Sequence, residues 1–276
     1  MNRRYQNVLG YGKHEEWNGS KFFNEGKWNN FIAPHLPEDC TDMTFLEIGS
    51  NYGLFLKMAK DREFRHVKGI DYDTHNCEIA KRYLGDSVEV ERANVNESIY
   101  WNDFIAKLPA TDYILLSNFH YHIYTNVFLH LINILRRKCR YIIIVSAEDV
   151  RGKLYCAKPH ITRIRGYFRD WELVKHIPEI DGTGDPSPRR MYSLGYKSEI
   201  ERVPIQRLID ALTPRGMKFY LKVRRVVRKT RIQWKYPQNQ PLLLHPDYRL
   251  IDGHHRLACL EIDEYKSALC EVTKTI

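Results

Sequence analysis

Apolar and polar positions alternate on two different periods along residues 44–196, and the alternation predicts an ordered series of strands and helices. The run TFLEI (44–48) reads as a strand, and LFLKMAK (54–60) follows with helical spacing. RHVKGID (65–71) is a second short strand. Residues 74–84 then place Ile79, Ala80, Tyr83 and Leu84 on a helix, with Asp73 or Thr74 as its N-cap and Gly85 as its stop. SVEVERA (87–93) alternates with period two. DYILLS (112–117) and RYIIIVS (140–146) have unbroken apolar centres, as parallel strands buried on both faces require. Between them, Phe128, Leu131, Ile132 and Leu135 share one face of a helix over 127–135. Two last strands, 171–177 and 190–196, are joined by the turn-rich DGTGDPSP (181–188). Strands alternating with helices predict an α/β fold, a mostly parallel sheet covered on both faces.

The polar groups that interrupt this pattern cluster at strand exits, where ligands bind in open α/β sheets. After the first strand the chain reads E-x-G-x-x-x-G from Glu47 to Gly53. A dinucleotide fingerprint needs G-x-G-x-x-G to seat a pyrophosphate on the helix N-terminus. Here a carboxylate stands where a cation would be received instead. A second acid, Asp71, ends the next strand 24 residues later, near the interval of a ribose-binding carboxylate; Asp73 competes with it two positions on. A carboxylate there accepts hydrogen bonds from vicinal hydroxyls.

Residues 45–53 resemble motif I of the class I S-adenosylmethionine-dependent methyltransferases. That family has a Rossmann-like, mostly parallel seven-stranded sheet closed by a hairpin such as 171–196. The resemblance implies S-adenosylmethionine as cofactor and methyl transfer to an O, N or C nucleophile. It puts Glu47, Gly49, Ser50, Asn51 and Gly53 at the methionine end, Asp71 on the ribose, and Asn94 with Val95 on the adenine, and adds Ser117 at the end of the fourth strand. The family more often carries Asp where this chain has Asn94, although an amide oxygen accepts the same bond. The segment FHYH (119–122) is similar to the strand-four exit of class I enzymes, and His122 falls on their histidine. His122 then acts as a general base or as a lid on the methionine end; His120 and Tyr121, with Glu148, complete the acceptor side. Upstream, aromatic residues interleaved with Asn, Gly and Lys over 17–31, followed by PHLP (34–37), read either as a substrate lid or as a cap that seals the core. A similar Trp-rich lead precedes motif I in tRNA wobble-uridine methyl and carboxymethyl transferases.

Composition changes after residue 198. Residues 199–276 hold 15 Lys and Arg against 9 Asp and Glu, two thirds of the net charge of +9, and residues 213–235 hold nine basic residues and no acid. Such a run can neutralise phosphates or be a solvated helix face, and Leu221, Val223, Val226 and Val227 within it suggest a partly buried element. Further on, YRLIDGHHRLA (248–258) predicts a strand, a tight turn and a helix opened by His254, His255 and Arg256. With Gly253 these form a candidate anion site, because backbone N–H groups converge at a helix N-terminus. The segment resembles the D-G-H-H-R-L signature of the ParB and sulfiredoxin-like fold, whose loop binds nucleotide phosphates. The missing cysteine before His254 argues against sulfiredoxin chemistry. The adjacent histidines do not suit one metal ion, and no metal is expected. The predicted organisation is a cap or lid over 1–40, a methyltransferase domain over 41–198 and an α+β ParB-like domain over 199–276. The expected acceptor is an anionic small molecule or nucleotide, with nucleic acid as the other partner class. Six scattered cysteines, no signal peptide and no apolar stretch of about 18 residues predict a soluble, reduced, cytoplasmic protein.

Overall fold

The computed structural model describes residues 26–97, 104, 108–149, 168, 171–180, 186–198, 200–230, 242–244, 250–252, 254–262, 264–265 and 267–272. In chain order the first unit contains β1 (Thr44–Ile48), α1 (Leu54–Asp61), β2 (His66–Asp71), α2 (Thr74–Leu84) and β3 (Glu89–Arg92). It continues with β4 (Thr111–Ser117), α3 (Thr125–Leu135), β5 (Cys139–Asp149), β6 (Glu172–Ile180) and β7 (Pro186–Lys197). The sheet order is β3-β2-β1-β4-β5-β7-β6, with β1 to β5 parallel and β7 antiparallel to both of its neighbours. Strand order reverses between β1 and β4. In open α/β sheets ligands bind at such a switch point, outside the carboxyl ends of the strands.

Side chains alternate between two cores, as the period of a strand demands. Leu46, Ile48, Ile114, Leu116, Ile142 and Ile144 face α3, where Phe128, Leu131 and Leu135 cover them. Phe45, Tyr113, Leu115, Ile143 and Val145 face the other way, against Phe55 and Leu56 of α1 and against the N-terminal residues Trp28, Phe31 and Ile32. Trp28 lies 6.2 Å, ring to ring, from both Phe45 and Phe55. Burying Phe31 and Ile32 fully contributes about 1.5–3 kcal/mol for each side chain.

Three boundaries differ from the sequence expectation. Residues 147–149 continue β5 and pair with 189–191 of β7, so Glu148 lies within a strand rather than in a strand-exit loop. Residues 186–188, expected in a turn, already belong to β7. The third strand starts at Glu89 because a 3-10 turn over Gly85–Ser87 follows the end of α2.

The second unit has a mixed four-stranded sheet, β10-β9-β11-β8, built from β8 (Ile200–Pro204), β9 (Leu242–Leu244), β10 (Leu250–Asp252) and β11 (Ser267–Val272). Its helices are α4 (Ile205–Asp210), α5 (Pro214–Thr230) and α6 (His254–Ile262), and Leu208, Tyr220, Val223, Leu257 and Leu260 form its own core. Leu221, expected to help bury the basic run, is instead 50 % exposed, while Tyr220 and Val223 point inward.

The two units meet at the strand-start end of the large sheet. Arg202 of β8 clasps Asp112 at the start of β4 with two hydrogen bonds, 2.5 and 2.6 Å, and reaches Asp42 at 3.1 Å. Asp112 also accepts from the backbone N–H and hydroxyl of Thr44, both at 2.9 Å, and Asp42 accepts from the backbone and hydroxyl of Ser267. Tyr265 hydrogen-bonds His66 at the start of β2, and its ring carries the Arg65 guanidinium 3.5 Å from its centroid.

Candidate functional site

Glu47, the penultimate residue of β1, is on the same face as Phe45. Its side chain is 0 % exposed, and neither carboxylate oxygen has a hydrogen-bond partner. Burial pushes its pKa well above the ordinary glutamate range; the nearby Lys27 ammonium opposes the rise and the Asp71 carboxylate adds to it. A fully buried, unbonded carboxylate is costly unless something supplies positive charge or donors. Other buried polar atoms without a partner lie in the loops at the β1 and β4 exits: Ser50 Oγ, Asn51 Oδ1 and Asn118 Oδ1.

The loop after β1 is held in a fixed shape by its neighbour β2. The N–H groups of Gly49 and Ser50 both donate to the Ile70 carbonyl, at 2.7 and 3.0 Å. Asp71 Oδ2 accepts from the Asn51 backbone N–H at 2.7 Å, while its Oδ1 accepts from the Asp73 N–H and the Asn76 amide. Asp71 thus braces the loop, and it is buried with both oxygens accepting hydrogen bonds. Asp73, its competitor, is the N-cap of α2 and accepts from the His75 and Asn76 N–H groups. Gly49 has φ +83°, and a Cβ there would lie 2.8 Å from the Phe119 ring, so the loop and the β4 exit close on each other only through a glycine.

The structure brings Glu47, Gly49, Ser50, Asn51, Gly53 and Asp71 together. The β3 exit is a different case. Asn94 forms a local turn, its Oδ1 accepting from the Asn96 N–H and its amide donating to Glu97, and Val95 is buried in the core. Asn96 instead bridges to the β4 exit by donating to the His122 carbonyl at 2.7 Å and accepting from the Tyr124 N–H. Ser117 is half-buried at the end of β4. The two histidines of the 3-10 turn Phe119–His122 diverge. His120 is buried, with Nε2 3.2 Å from Ser146 Oγ, whereas His122 is exposed. The inward histidine is therefore His120, not the His122 that the family pattern singles out. The side chains of Tyr121, Glu148, His254, His255 and Arg256, and the whole of Gly253, lie outside the described residues, as do residues 17–25 of the expected lid. Residues 26–37 seal the core. His35 illustrates this: Tyr141 donates to Glu172, so its oxygen accepts from His35 Nδ1 (3.0 Å) and His35 Nε2 accepts from Ser193 (2.9 Å). Burial lowers the pKa of His35 to about 4, which keeps it neutral for these two bonds.

Three residues of the site escaped the sequence reading. Lys27 is buried, with its ammonium 5.6 Å from the Phe55 ring centroid and close enough for its charge to reach Glu47. Asn118 sits at φ +54° immediately after β4, a backbone state that an asparagine tolerates. Gly69 lies inside β2, where a Cβ would meet Leu56 Cδ1 at 2.3 Å and Ser50 Oγ at 2.9 Å. A glycine within a strand signals such close approach, and it was the one cue available.

Among the described residues no group of three or more His, Cys, Asp or Glu could hold a metal ion, and no helix is long and apolar enough to cross a membrane. No protein-family model matches the chain, and no curated protein matches it by sequence. Solved structures that match part of the chain include proteins described as S-adenosylmethionine-dependent methyltransferases. A putative S-adenosylmethionine dependent methyltransferase from Listeria monocytogenes is 16 % identical over 63 % of this chain and 100 % of its own, with a TM-score of 0.45. TehB from Haemophilus influenzae is 12 % identical over 56 % of this chain and 57 % of its own (TM-score 0.43). The bifunctional kinase-methyltransferase WbdD is 17 % identical over 69 % of this chain and 43 % of its own (TM-score 0.47). The matches to TehB and WbdD thus span about half of those proteins.

Proposed function

We propose that the chain is an S-adenosylmethionine-dependent methyltransferase. One observation carries this reading: Glu47, wholly buried at the switch point of the sheet, has two carboxylate oxygens with no donor. The cofactor's ammonium supplies donors and charge to that carboxylate, and its ribose diol suits Asp71. Lys27, whose charge reaches Glu47, would hold the cofactor's carboxylate. A zwitterionic methionine end then meets a cation and an anion in the reverse order, so the buried charges on both sides are neutralised. When bound, the cofactor provides an electrophilic methyl group; the protein's part is to hold the acceptor in line with it.

His120 is the group best placed to accept a proton from the acceptor, because it is buried at the β4 exit and its Nε2 is oriented by Ser146. The acceptor class that we propose is an anionic small molecule or a nucleotide-like compound. The ParB-like resemblance of the tail supports a second, phosphate-binding site at the turn before α6.

Calorimetry with S-adenosylhomocysteine tests the cofactor reading. Wild type binds it, and Asp71→Ala weakens it at least tenfold. Lys27→Met weakens S-adenosylhomocysteine but leaves 5′-methylthioadenosine, which lacks the amino-acid end, unchanged. Failure of the wild type to bind S-adenosylmethionine or its product overturns the proposal. A screen of phosphorylated and carboxylated metabolites, read by S-adenosylhomocysteine release, then identifies the acceptor.

A further inference from the structure

Helix α5 gathers part of its positive charge on one exposed face. At 100° per residue, Arg215, Lys218, Lys222 and Arg225 fall within about 80° of arc, and all four side chains are exposed. Tyr220 and Val223, which anchor the helix in the core of the second unit, lie on the opposite side. Arg224 stands apart from the stripe: Glu261 of α6 neutralises it through two hydrogen bonds of 2.6 Å. The stripe is bordered by two large exposed apolar side chains, Phe219 at 46 % and Leu221 at 50 % exposure, one on each side.

We propose that this outer face of α5 is a docking surface for a nucleic-acid phosphate backbone. From Arg215 to Arg225 the stripe is about 15 Å long, enough to cross a groove of roughly 12 Å. Four cations in one row, with no acid in the helix, match a row of phosphates, and the flanking Phe219 and Leu221 are placed to meet sugar or base edges. A membrane-surface helix has the reverse layout, with a broad apolar face toward the lipid and the charges at its margins. In α5 that apolar face is already spent on Tyr220 and Val223 inside the protein.

The second unit docks by Arg202, Tyr265 and Ser267 on the strand-start end of the large sheet. The candidate site lies at the other end. The surface is therefore a binding site of its own, and the inference does not rest on methyl transfer.

Fluorescence anisotropy of the full chain with labelled duplex DNA, duplex RNA and single-stranded RNA, from 50 to 200 mM salt, tests it. Four phosphate contacts give a slope of log K against log salt of about −3.6 on duplex DNA and about −2.8 on a single strand, hence a loss of roughly 100-fold on a duplex over that range. The fourfold change Arg215→Gln, Lys218→Gln, Lys222→Gln, Arg225→Gln removes this binding while far-ultraviolet dichroism stays that of the wild type. If the fourfold variant does not fold, the pair Lys218→Gln and Lys222→Gln must reduce the slope by about two. Comparison of the three nucleic acids decides which one the surface prefers. A flat salt response, an unchanged slope in the variants, or binding to phosphatidylserine vesicles with none to nucleic acid overturns the proposal.

Discussion

The two ends of the large sheet treat polar groups in opposite ways. At the strand starts, Asp112 is fully buried yet receives the Thr44 N–H, the Thr44 hydroxyl and two guanidinium N–H groups from Arg202. Toward the strand exits, three residues or about 10 Å further along β1, Glu47 is equally buried and receives no hydrogen bond. Both are carboxylates beside cations in the same sheet. The first is saturated by the protein itself and so makes a joint between the two units. The second is left for something else to saturate, which is the physical signature of a binding site. Burial and charge alone do not separate the two; the count of donors does.

Substitutions at the two ends sharpen this contrast. The largest effect is expected from Arg202→Met, which strands Asp112 without its counter-charge and costs about 3–5 kcal/mol in urea unfolding. Cofactor affinity, measured where the variant is folded, should stay within twofold of wild type because the joint lies about 10 Å from Glu47 along β1. Glu47→Gln inverts that outcome. S-adenosylhomocysteine binding, followed by calorimetry, weakens about 100-fold, while the empty protein gains roughly 1 kcal/mol because an uncompensated charge is gone. An unfolding midpoint lower than that of wild type would contradict the reading of Glu47 as a buried carboxylate without protein donors. Gly69→Ala comes next: a Cβ 2.3 Å from Leu56 Cδ1 and 2.9 Å from Ser50 Oγ overpacks the floor of the site and costs about 1–3 kcal/mol. It should also raise the dissociation constant of the cofactor, since Ser50 must move.

The smallest expected effect concerns pH, and its sign differs between the ends. The pKa of Glu47 is raised in the folded state, so the empty protein holds this proton more tightly than the unfolded chain does, and stability declines as pH rises from about 4.5 through the raised value. A bound cofactor favours the ionised form and removes that decline. The pKa of His66, at the joint, is lowered to about 4 by burial and by the Arg65 and Lys60 charges, with Glu89 opposing. Its contribution is complete above pH 6.5 and is lost as pH falls from 6.5 toward 4. Thermal melts of wild type, Glu47→Gln and His66→Gln between pH 4 and 8 separate the two: Glu47→Gln loses the decline on the alkaline side, and His66→Gln loses part of the decline on the acid side.

Much of the fold was legible in the sequence because its strongest signals are local. Apolar runs gave β1, β2, β4 and β5, and α2 spans Thr74–Leu84 as read, between the Asp73 cap and Gly85. The boundaries that moved did so through pairing: residues 147–149 and 186–188 extend a ladder that forms only when β5 and β7 lie side by side. In the candidate site, Glu47 and Asp71 were singled out because each lies near the end of a strand, and strand ends can be read from periodicity. Asn94 was read from its type and position, yet its side chain closes a local turn. Of the two histidines, only the geometry of a 3-10 turn decides that His120 points in and His122 out.

The sequence by itself determined the alternation of strands and helices, the acid at each of two strand ends and the glycine-bearing turn between them, since these depend on residue type within a few positions. Tertiary structure decided that the charge of Lys27 reaches Glu47, that Arg202 saturates Asp112 from 90 residues away, and that the cationic face of α5 stays exposed while Tyr220 and Val223 are buried. Those relations arise from how faces pack and which donors reach a buried acceptor. Both are properties of distance in space, for which separation along the chain carries no information.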